Sequence, residues 1–215
     1  MSSVYSDCTC GRDFTPERSL RPGPLMARAN EVTITVTGKS VHLSRAAEGR
    51  DALAAGLDYY RRALELVEAL PPPRVLGFGR MVSGTVRNAV SGETHPGGQP
   101  ADLSGGYLPG LSGRVLIRLG VQVAEERGCE VDVHLSDGYP AVWNHEALYV
   151  QLCRELGPKA PALLDTPVLA AEDFSFYQQR VPGVFFFLGV GETASFTLRS
   201  SVLTMRRCCR KALRF

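Results

Sequence analysis

The sequence contains no apolar run long enough to cross a membrane. Its longest such run, Val184 to Val190, is far shorter than the roughly 20 apolar residues that a spanning helix needs. The N-terminal segment also lacks the apolar core of a secretory signal peptide. We therefore expect a cytoplasmic protein with no membrane partner.

Clustered metal ligands are equally scarce. The sequence has six cysteines and four histidines, and no histidine lies beyond His145. Neither Cys8-Thr9-Cys10 nor the adjacent pair Cys208-Cys209 has the spacing of a zinc site. Cys129 and Cys153 are predicted to be buried free thiols, which agrees with a cytoplasmic location.

The small net charge of +2 conceals an uneven distribution. Residues 193–215 contain six Lys or Arg side chains and no acidic one, whereas the rest of the chain sums to −4. A basic tail of this kind can bind nucleic acid or an anionic membrane, but a solvated chain end is the more common explanation. The tail has only Phe196 and Phe215 for stacking on bases, so no nucleic-acid partner is expected.

A chain of 215 residues with 44% hydrophobic and 21% charged residues is long enough for one large or two small globular domains. The periodicity of its apolar residues predicts alternating strands and helices. Gly77 and Gly79 suggest a bulge in the second predicted strand, residues 75–82. The order of elements predicts a small α/β sandwich with a mostly antiparallel sheet. The predicted strands span residues 31–37, 75–82 and 129–135, and the predicted helices span residues 51–70 and 118–127.

Other stretches predict less regular structure. Prolines and glycines break any periodicity within residues 1–30, which are predicted to be irregular. Six glycines and three prolines lie within residues 95–113, a composition that does not easily hold a strand ladder or a helix. Further on, Asn144 is predicted to cap a helix that runs to Leu156.

An acidic pair, Glu172 and Asp173, precedes the apolar run over residues 184–190. Polar groups on a loop beside a buried strand of an α/β protein are commonly ligand-binding groups. The alternative is that Asp173 is the N-cap of a short helix, Phe174 to Gln179, and has no further role. Spacing alone favours the cap, so the pattern leaves both interpretations open.

Several segments, in the same order along the chain, resemble those of one enzyme superfamily. The segments are residues 21–27 (RPGPLMA), 38–44 (GKSVHLS), 83–90 (SGTVRNAV), 136–140 (SDGYP), 171–174 (AEDF) and 181–189 (VPGVFFFLG). In these segments the chain is similar to the zinc-dependent aminoacylase and carboxypeptidase superfamily, most closely to its branch of hippurate hydrolases and N-acyl-amino-acid amidohydrolases. Such a series of segments is far more specific than any single one of them.

The resemblance implies an α/β (α+β) fold in two parts: a ferredoxin-like lid or dimerisation domain, and a C-terminal fragment of an α/β metallo-hydrolase catalytic domain. We expect the lid over residues 31–140, disrupted at 95–113, and the catalytic fragment over residues 141–192. Residues 1–30 are then an irregular N-terminal remnant of the catalytic domain, and residues 193–215 are a basic irregular tail.

The resemblance also implies roles for four side chains. His42 matches a lid histidine that, in the family, reaches across the dimer to the partner's active site and stabilises the oxyanion. Asn88 matches a lid asparagine that binds substrate, and Glu172 and Asp173 match a loop beside the catalytic cleft. The family relationship implies a hydrolase of N-acyl amino acids or small peptides, with zinc or manganese as cofactor, that forms a homodimer through its lid.

Some family features are missing from the sequence. Family members hold two metal ions with histidine, aspartate and glutamate ligands, a Glu-Glu pair and a late histidine. Glu125-Glu126 lies on a predicted helix as a surface pair, so no metal ligand is assigned and this chain alone is not expected to bind the metal. We hypothesise that residues 1–20, 95–113 and 193–215 are translated out of the ancestral frame, which the other two frames of the encoding DNA would test.

Two functional classes therefore stay open. One is an amidohydrolase, truncated or frameshifted, with little activity of its own. The other is a non-catalytic remnant that dimerises through its sheet edge. A nucleic-acid or membrane binder would instead show salt-dependent binding that is lost when residues 193–215 are deleted.

Overall fold

The structure is a computed structural model that describes residues 5–11, 18–103 and 110–189, so the tail predicted over 193–215 lies outside the described residues. No helix in the described ranges is long and apolar enough to cross a membrane. In chain order the strands are β1 Tyr5–Gly11, β2 Arg18–Leu20, β3 Gly23–Met26, β4 Arg28–Ala29, β5 Val32–Thr37, β6 Arg74–Ser83, β7 Glu93–Asp102, β8 Glu130–Leu135, β9 Val142–Asn144, β10 Ala162–Leu163 and β11 Gly183–Gly189. The helices are α1 Ala52–Glu68, α2 Leu111–Arg127, α3 Glu146–Leu156 and α4 Phe174–Gln178, and short 3₁₀ turns occupy Leu43–Glu48 and Gly157–Lys159.

The chain divides into two compact units. One comprises the described parts of residues 1–26, 141–168 and 172–215, and the other comprises residues 27–140 and 169–171. The second unit interrupts the sequence of the first. We therefore call them the host unit and the inserted unit.

The inserted unit is built on one antiparallel sheet. Strand β7 lies between β6 and β5, strand β8 pairs with the other side of β5, and the short β4 pairs with one end of β7. Along the chain the elements follow the order strand, helix, strand, strand, helix, strand from β5 to β8. Both helices pack on one face of the sheet. The mixed α/β prediction with an antiparallel sheet is confirmed for this unit.

The core of the inserted unit lies between the sheet and its two helices. Val32, Ile34 and Val36 of β5 are buried in this core, whereas Thr33 and Thr37 of the same strand are exposed. This alternation is the period of two that the sequence predicts for a half-buried strand. The buried faces of the helices complete the core with Ala52, Ala55, Tyr59, Ala63 and Val67 of α1 and Leu116, Leu119 and Val123 of α2.

Helix α1 forms where the sequence predicts a helix. Asp51 is its N-cap, and Oδ1 of that side chain accepts hydrogen bonds from the backbone N–H groups of Leu53 at 2.9 Å and Ala54 at 3.1 Å. On the buried face of α1, the Tyr59 hydroxyl donates to the Leu116 carbonyl of α2 at 3.0 Å, and burial raises the pKa of this phenol. The bond joins the two helices inside an otherwise apolar core.

Ion pairs also join α1 to α2 at the surface. Asp58 of α1 lies 3.1 Å from the Arg127 guanidinium and 3.6 Å from that of Arg62, which in turn lies 2.7 Å from Glu126. Burial raises the pKa of Asp58, but the hydrogen bond and positive charge of Arg127, together with the neighbouring arginines, outweigh it and lower the pKa overall. Glu126 is thus part of a surface ion pair with Arg62. Glu125 and Glu126 both lie exposed on α2, which agrees with the predicted surface position of this pair.

The Gly/Pro-rich stretch over residues 95–113 contains regular structure, so the prediction that it cannot hold a ladder or a helix is wrong. Its first part lies in β7, which pairs with β6 and with β5, and α2 begins at Leu111, earlier than predicted. Pairing with β5 is interrupted around Pro96, whose nitrogen carries no hydrogen to donate. At Gly98, a Cβ would lie 2.5 Å from the Gly77 carbonyl oxygen, so glycine allows β6 and β7 to approach.

Strand β6 is the long edge of this sheet. It has 10 residues, pairs with β7 on one side, and has no partner strand on its other side among the described residues. Its register shifts between Phe78 and Arg80, which confirms the bulge that Gly77 and Gly79 predict. Tyr60 of α1 packs on Phe78 with ring centroids 5.2 Å apart, so α1 lies next to this edge.

The two ends of the inserted unit are hydrogen-bonded to each other. The backbone groups of Ala29 and Tyr139 form two bonds, at 3.2 and 2.9 Å. The Asn30 amide donates to the Ser136 carbonyl at 2.6 Å, and the Ser136 hydroxyl accepts from the Glu31 N–H at 2.8 Å. The chain therefore leaves this unit beside the point at which it enters.

The host unit contains two sheets. In the larger one the order is β1, β11, β2, β10, with β11 parallel to β1 and antiparallel to β2. The other is the antiparallel pair of β3 and β9. Phe185 and Phe187 of β11 pack with residues of β3, β9 and α4, whereas Val184 and Phe186 pack with Leu20 and the apolar face of α3. The central strand is thus buried on both faces, as its apolar run predicts.

Four strands, β1 to β4, lie within residues 1–30, so the prediction that this segment is irregular is wrong. Each of these strands pairs with a strand that is far away in the sequence, for example β3 with β9 and β2 with β11. Pro22 stands between β2 and β3, and Gly23, the first residue of β3, has a φ of +70° that favours glycine. Short strands with distant partners leave no local periodicity to detect.

Asn144 is the last residue of β9 and does not cap a helix, which corrects the prediction. Its buried side chain bonds to Phe185 twice: Oδ1 accepts from the N–H at 2.7 Å, and Nδ2 donates to the carbonyl at 2.9 Å. Nδ2 also donates to the Arg21 carbonyl at 2.9 Å. Helix α3 begins at Glu146, with His145 in the N-cap position. The amide is therefore committed to the neighbouring strands.

Candidate functional site

The first candidate residues lie in the turn that follows β5. Gly38 is required there because a Cβ would lie 2.1 Å from the Arg50 carbonyl oxygen. Lys39 and Arg50 then exchange two backbone hydrogen bonds, at 2.8 and 3.1 Å. This pairing closes the loop over residues 40–49, which carries His42.

His42 is oriented by its own turn. The backbone N–H of Ser44 donates to Nδ1 at 3.2 Å, and the Ser44 hydroxyl lies 2.9 Å from the same atom. An Nδ1 that accepts from an N–H carries no proton, so the hydrogen of the neutral imidazole is on Nε2. The side chain is exposed, and none of the described residues bonds to Nε2. His42 therefore presents one N–H donor to a ligand.

Asn88 lies beside His42 on a neighbouring segment. Its backbone carbonyl accepts from the Leu43 N–H at 3.0 Å, and His42 forms an antiparallel bridge with Ala89. The Asn88 side chain is exposed, and its amide has no partner in the described part of the chain. The fold thus brings two of the predicted site residues together, each with a polar group open to a ligand.

The loop that joins β6 to β7 carries Asn88 and is fixed at both ends. The Ser83 hydroxyl lies 2.9 Å from the Ser91 hydroxyl and 2.6 Å from that of the buried Thr94. The Ala52 N–H, at the start of α1, donates to the Ser91 carbonyl at 3.0 Å. These bonds hold the two ends of the loop, while its middle part is exposed.

Two open cavities lie along this loop. The larger one has a volume of about 540 Å³ and is lined by Leu43, the start of α1 and the loop itself. The other has a volume of about 380 Å³ and is lined by hydroxyl groups and by Glu93 and His95, whose Oε2 and Nε2 atoms are 3.3 Å apart. Both volumes are within the range of small-molecule sites.

Glu172 and Asp173 lie in the host unit at the start of α4. Oε1 of Glu172 accepts from the Asp173 N–H at 3.1 Å, and the Glu172 carbonyl accepts from the Ser175 hydroxyl at 2.7 Å. Asp173 occupies the N-cap position, but its exposed carboxylate makes no capping hydrogen bond. The helix predicted there forms, whereas the predicted cap bond does not. These two residues lie in one unit, and His42 and Asn88 lie in the other.

Residues 5–11, 18–103 and 110–189 contain no group of three or more His, Cys, Asp or Glu side chains that could hold a metal ion. Asp51 caps α1, and Glu93 contacts His95. Cys129 and Cys153 are free thiols, and burial raises the pKa of Cys129, which makes it a poor ligand. A catalytic metal pair needs several fixed N and O ligands. The described residues do not fit such a pair, and no catalytic step through a metal follows from them.

Ser44 has a role that the sequence pattern does not assign. It supplies the N–H and the hydroxyl that together fix the His42 ring. The signal that could have revealed it is the spacing of two residues, because a side-chain acceptor commonly bonds to the N–H two positions later in a tight turn. The same spacing then predicts which ring nitrogen of His42 carries the hydrogen.

The mixed α/β fold matches crystal structures of hydrolases. A protein of methicillin-resistant Staphylococcus aureus, provisionally described as an aminohydrolase, superposes with a TM-score of 0.73 at 20% identity, covering 87% of this chain and 49% of that chain. The Bacillus subtilis YXEP protein, described as a dinuclear metal-binding peptidase of the M20 family, superposes with a TM-score of 0.65 at 18% identity, covering 91% of this chain and 50% of that chain. At these identities the likeness concerns the fold.

The sequence also identifies the family. The sequence model of peptidase family M20/M25/M40 matches residues 15–198, so the chain belongs to this family. The N-acetyldiaminopimelate deacetylase of Lacticaseibacillus casei (strain BL23) is 28% identical over 184 residues, covering 82% of this chain and 48% of the deacetylase. The chain spans about half the length of the curated relatives it matches. The predicted membership of the metallopeptidase-type amidohydrolase superfamily is confirmed.

Proposed function

We propose that the chain is part of an amidohydrolase that acts on N-acyl amino acids or small peptides, in the branch of hippurate hydrolases and N-acyl-amino-acid amidohydrolases. Family membership and the deacetylase relatives support this reaction class. In this proposal the inserted unit is a ferredoxin-like lid over residues 31–140, which its strand and helix order supports. The host unit is part of the catalytic domain.

The observation that carries the proposal is the outward N–H of His42. Amide hydrolysis develops negative charge on the carbonyl oxygen, and a positioned donor that meets this oxygen lowers the barrier. Because Ser44 uses Nδ1 of the neutral ring as an acceptor, the donor is on Nε2, which none of the described residues engages. We assign oxyanion stabilisation to His42, acting on the active site of a second copy.

Asn88, Glu172 and Asp173 are assigned to substrate binding. The Asn88 amide can donate to a carbonyl or carboxylate oxygen, and its backbone is held next to His42. The Asp173 carboxylate is exposed and uncommitted to the helix that follows it. Zinc or manganese is the cofactor expected for the complete enzyme, but the described residues supply no ligand set for it.

A homodimer through the lid is the proposed assembly. The outer side of β6, unpaired in the described structure, is a template for pairing with a second copy. Beside it, apolar side chains are open to solvent: Leu57 is 50% exposed, Tyr60 37%, and Val75 and Val82 45% each. The other edge strand, β8, is shorter and carries acidic side chains at exposed positions, which oppose edge pairing. We therefore propose that β6 and the adjoining face of α1 form the dimer contact.

A non-catalytic, dimerising role is the second candidate. The observation that favours it is the lack of a metal-binding group within the described ranges. In this case the β6 edge of the inserted unit still pairs with a second copy, and the exposed N–H of His42 takes part in no reaction. Metal content and activity separate the two candidates.

Hydrolysis of a panel of N-acyl amino acids by the full chain, with zinc or manganese added, tests the proposed function. We expect H42A to lower kcat by about a hundredfold, the effect of removing one oxyanion donor. H134A removes another exposed histidine of the same unit, on β8, and is the matched control. Equal activity of H42A and the unmodified chain would refute the oxyanion role.

Metal content per chain, measured by mass spectrometry after incubation with zinc and removal of the excess, decides between the candidates. Tightly bound metal together with hydrolysis supports the amidohydrolase. The dimerising role is supported instead if the chain retains no metal and hydrolyses no substrate, yet forms dimers that the L57K substitution dissociates. Light scattering at several protein concentrations measures this dissociation.

A further inference from the structure

The larger cavity beside the loop after β6 has an apolar wall. Leu43, Leu53 and Val86 line it, and these side chains are 52%, 40% and 59% exposed. Large apolar side chains that gather around a concave surface commonly mark a ligand site. The volume of about 540 Å³ can hold a molecule of several carbon atoms.

Arg87 supplies positive charge to the same cavity. Arg87 is one of the lining residues and its side chain is exposed, and no residue in the described ranges accepts a hydrogen bond from its guanidinium or forms an ion pair with it. Arg61, Arg62 and Arg127 of the same unit are, in contrast, all paired with carboxylates. A guanidinium presents a planar fork of donors that matches a carboxylate. An anionic ligand can therefore bind to Arg87 without displacing a protein partner.

Asp51 is the one acidic side chain among the lining residues of this cavity. Its Oδ1 accepts from the Leu53 and Ala54 N–H groups at the N-terminus of α1. The positive end of the helix dipole compensates a carboxylate in this position. Asp51 is thus committed to the helix, and Arg87 is left to bind a ligand.

We propose that this cavity binds an amphipathic carboxylate. Its aliphatic chain packs against Leu43, Leu53 and Val86, and its carboxylate pairs with Arg87. A simple alkanoate has both groups, and an N-acyl amino acid with an aliphatic acyl group has them at its two ends. Only the identity of the natural ligand as such an N-acyl amino acid rests on the proposed function. Arg87 is then the residue that selects a carboxylate, and Val86 is a specificity residue that favours an aliphatic acyl group.

Calorimetric titration of the full chain with butanoate, hexanoate, octanoate and octanamide tests the proposal. We expect affinity to rise by about twofold to fourfold for each methylene added to the carboxylate, as burial of apolar chain predicts. R87Q is expected to weaken octanoate binding by about tenfold and to leave octanamide binding unchanged, because a hydrogen bond to a charged group is lost. V86S is expected to flatten the dependence on chain length.

R118Q is the matched control, because Arg118 is an exposed arginine of α2 that does not line this cavity. R87K keeps the positive charge and is expected to restore part of the octanoate affinity, which a general loss of structure would not allow. Equal octanoate affinity of R87Q and the unmodified chain, or octanamide binding as tight as octanoate binding, would overturn the proposal. Undetectable octanoate binding at about 10 mM would also overturn it. Octanoate binding by a chain that hydrolyses no N-acyl amino acid would support the cavity and refute the hydrolase.

Discussion

Replacement of Asn144 by alanine tests how the host unit holds its central strand. The side chain is 0% exposed and satisfies three backbone groups: the N–H and carbonyl of Phe185 and the carbonyl of Arg21. Each buried group left without a partner costs about 1–3 kcal/mol. We therefore expect N144A to lower the free energy of unfolding by about 3–9 kcal/mol, a large part of the roughly 5–15 kcal/mol that stabilises a domain.

Urea unfolding followed by tryptophan fluorescence measures this loss. Trp143 is the one tryptophan of the chain, precedes Asn144 and is 50% exposed, so its signal reports on the host unit. N88A removes an exposed asparagine of the inserted unit and is expected to leave the signal unchanged. If N144A lowers the free energy of unfolding by less than about 1 kcal/mol, the reasoning is refuted, because about 1 kcal/mol is the average effect of any substitution.

The isosteric variant N144D separates lost bonds from lost volume. It places a carboxylate against the carbonyl oxygens of Phe185 and Arg21, and this repulsion raises the pKa of the new carboxyl group in the folded state. A group with a raised folded-state pKa contributes stability at low pH that is lost as the pH rises. We expect N144D to be closer in stability to the unmodified chain at pH 4 than at pH 7, and an equal gap at both values would contradict the hydrogen-bond geometry.

Two further predictions concern the inserted unit. Because Arg127 and its neighbours lower the pKa of Asp58, the stability from its ion pairs is present above the unfolded pKa of about 4 and is lost as the pH falls. Between pH 6 and pH 3, the free energy of unfolding of D58N should therefore fall by about 0.5–1 kcal/mol less than that of the unmodified chain, as measured by urea unfolding. An identical pH dependence of the two proteins would count against the ion pairs. G98A forces a Cβ toward the Gly77 carbonyl and should destabilise the unit by about 2–3 kcal/mol, whereas G97A, with nothing within 4 Å of its new Cβ, should cost far less. Circular dichroism during thermal unfolding compares the two alanine variants, and equal melting temperatures would argue against the pairing of β6 with β7.

Local patterns predict much of the inserted unit, and distant contacts explain where they fail. The alternation of Val32, Ile34 and Val36 and the position of Asp51 are local signals, and both elements form where they predict. The sequence does not predict strand β7, because glycine is needed at position 98 only where β6 approaches closely, and no local periodicity encodes that distance. The register of β6 and β7 is a property of the folded sheet.

The same distinction applies to Asn144. Asparagine is a favoured helix cap, and a helix does begin two residues later. The side chain bonds to Phe185 instead, a residue 41 positions away in the sequence. A local rule cannot choose between these uses, because the choice depends on which acceptors and donors the fold brings near.

The candidate site is predicted only in part. The resemblance of the segments around His42 and Asn88 to family segments singles out both residues, and the bridge between His42 and Ala89 is what brings them together. The sequence does not show that Ser44 fixes the ring of His42, nor that Arg87 lines a cavity that has one apolar wall. Those facts depend on backbone geometry and on side chains contributed by separate segments.

The insertion of residues 27–140 closes on the paired residues Ala29 and Tyr139. Two antiparallel strands lie about 5 Å apart, so a segment whose ends are paired in this way occupies a gap no wider than one strand spacing. In the host unit, β3 and β9 end as a pair of the same kind. A short turn could therefore replace the whole insertion, and the insertion could be grafted between paired strands of another scaffold. Residues 27–140 of the inserted unit are therefore a cassette, which can be exchanged while the host chain keeps its own register.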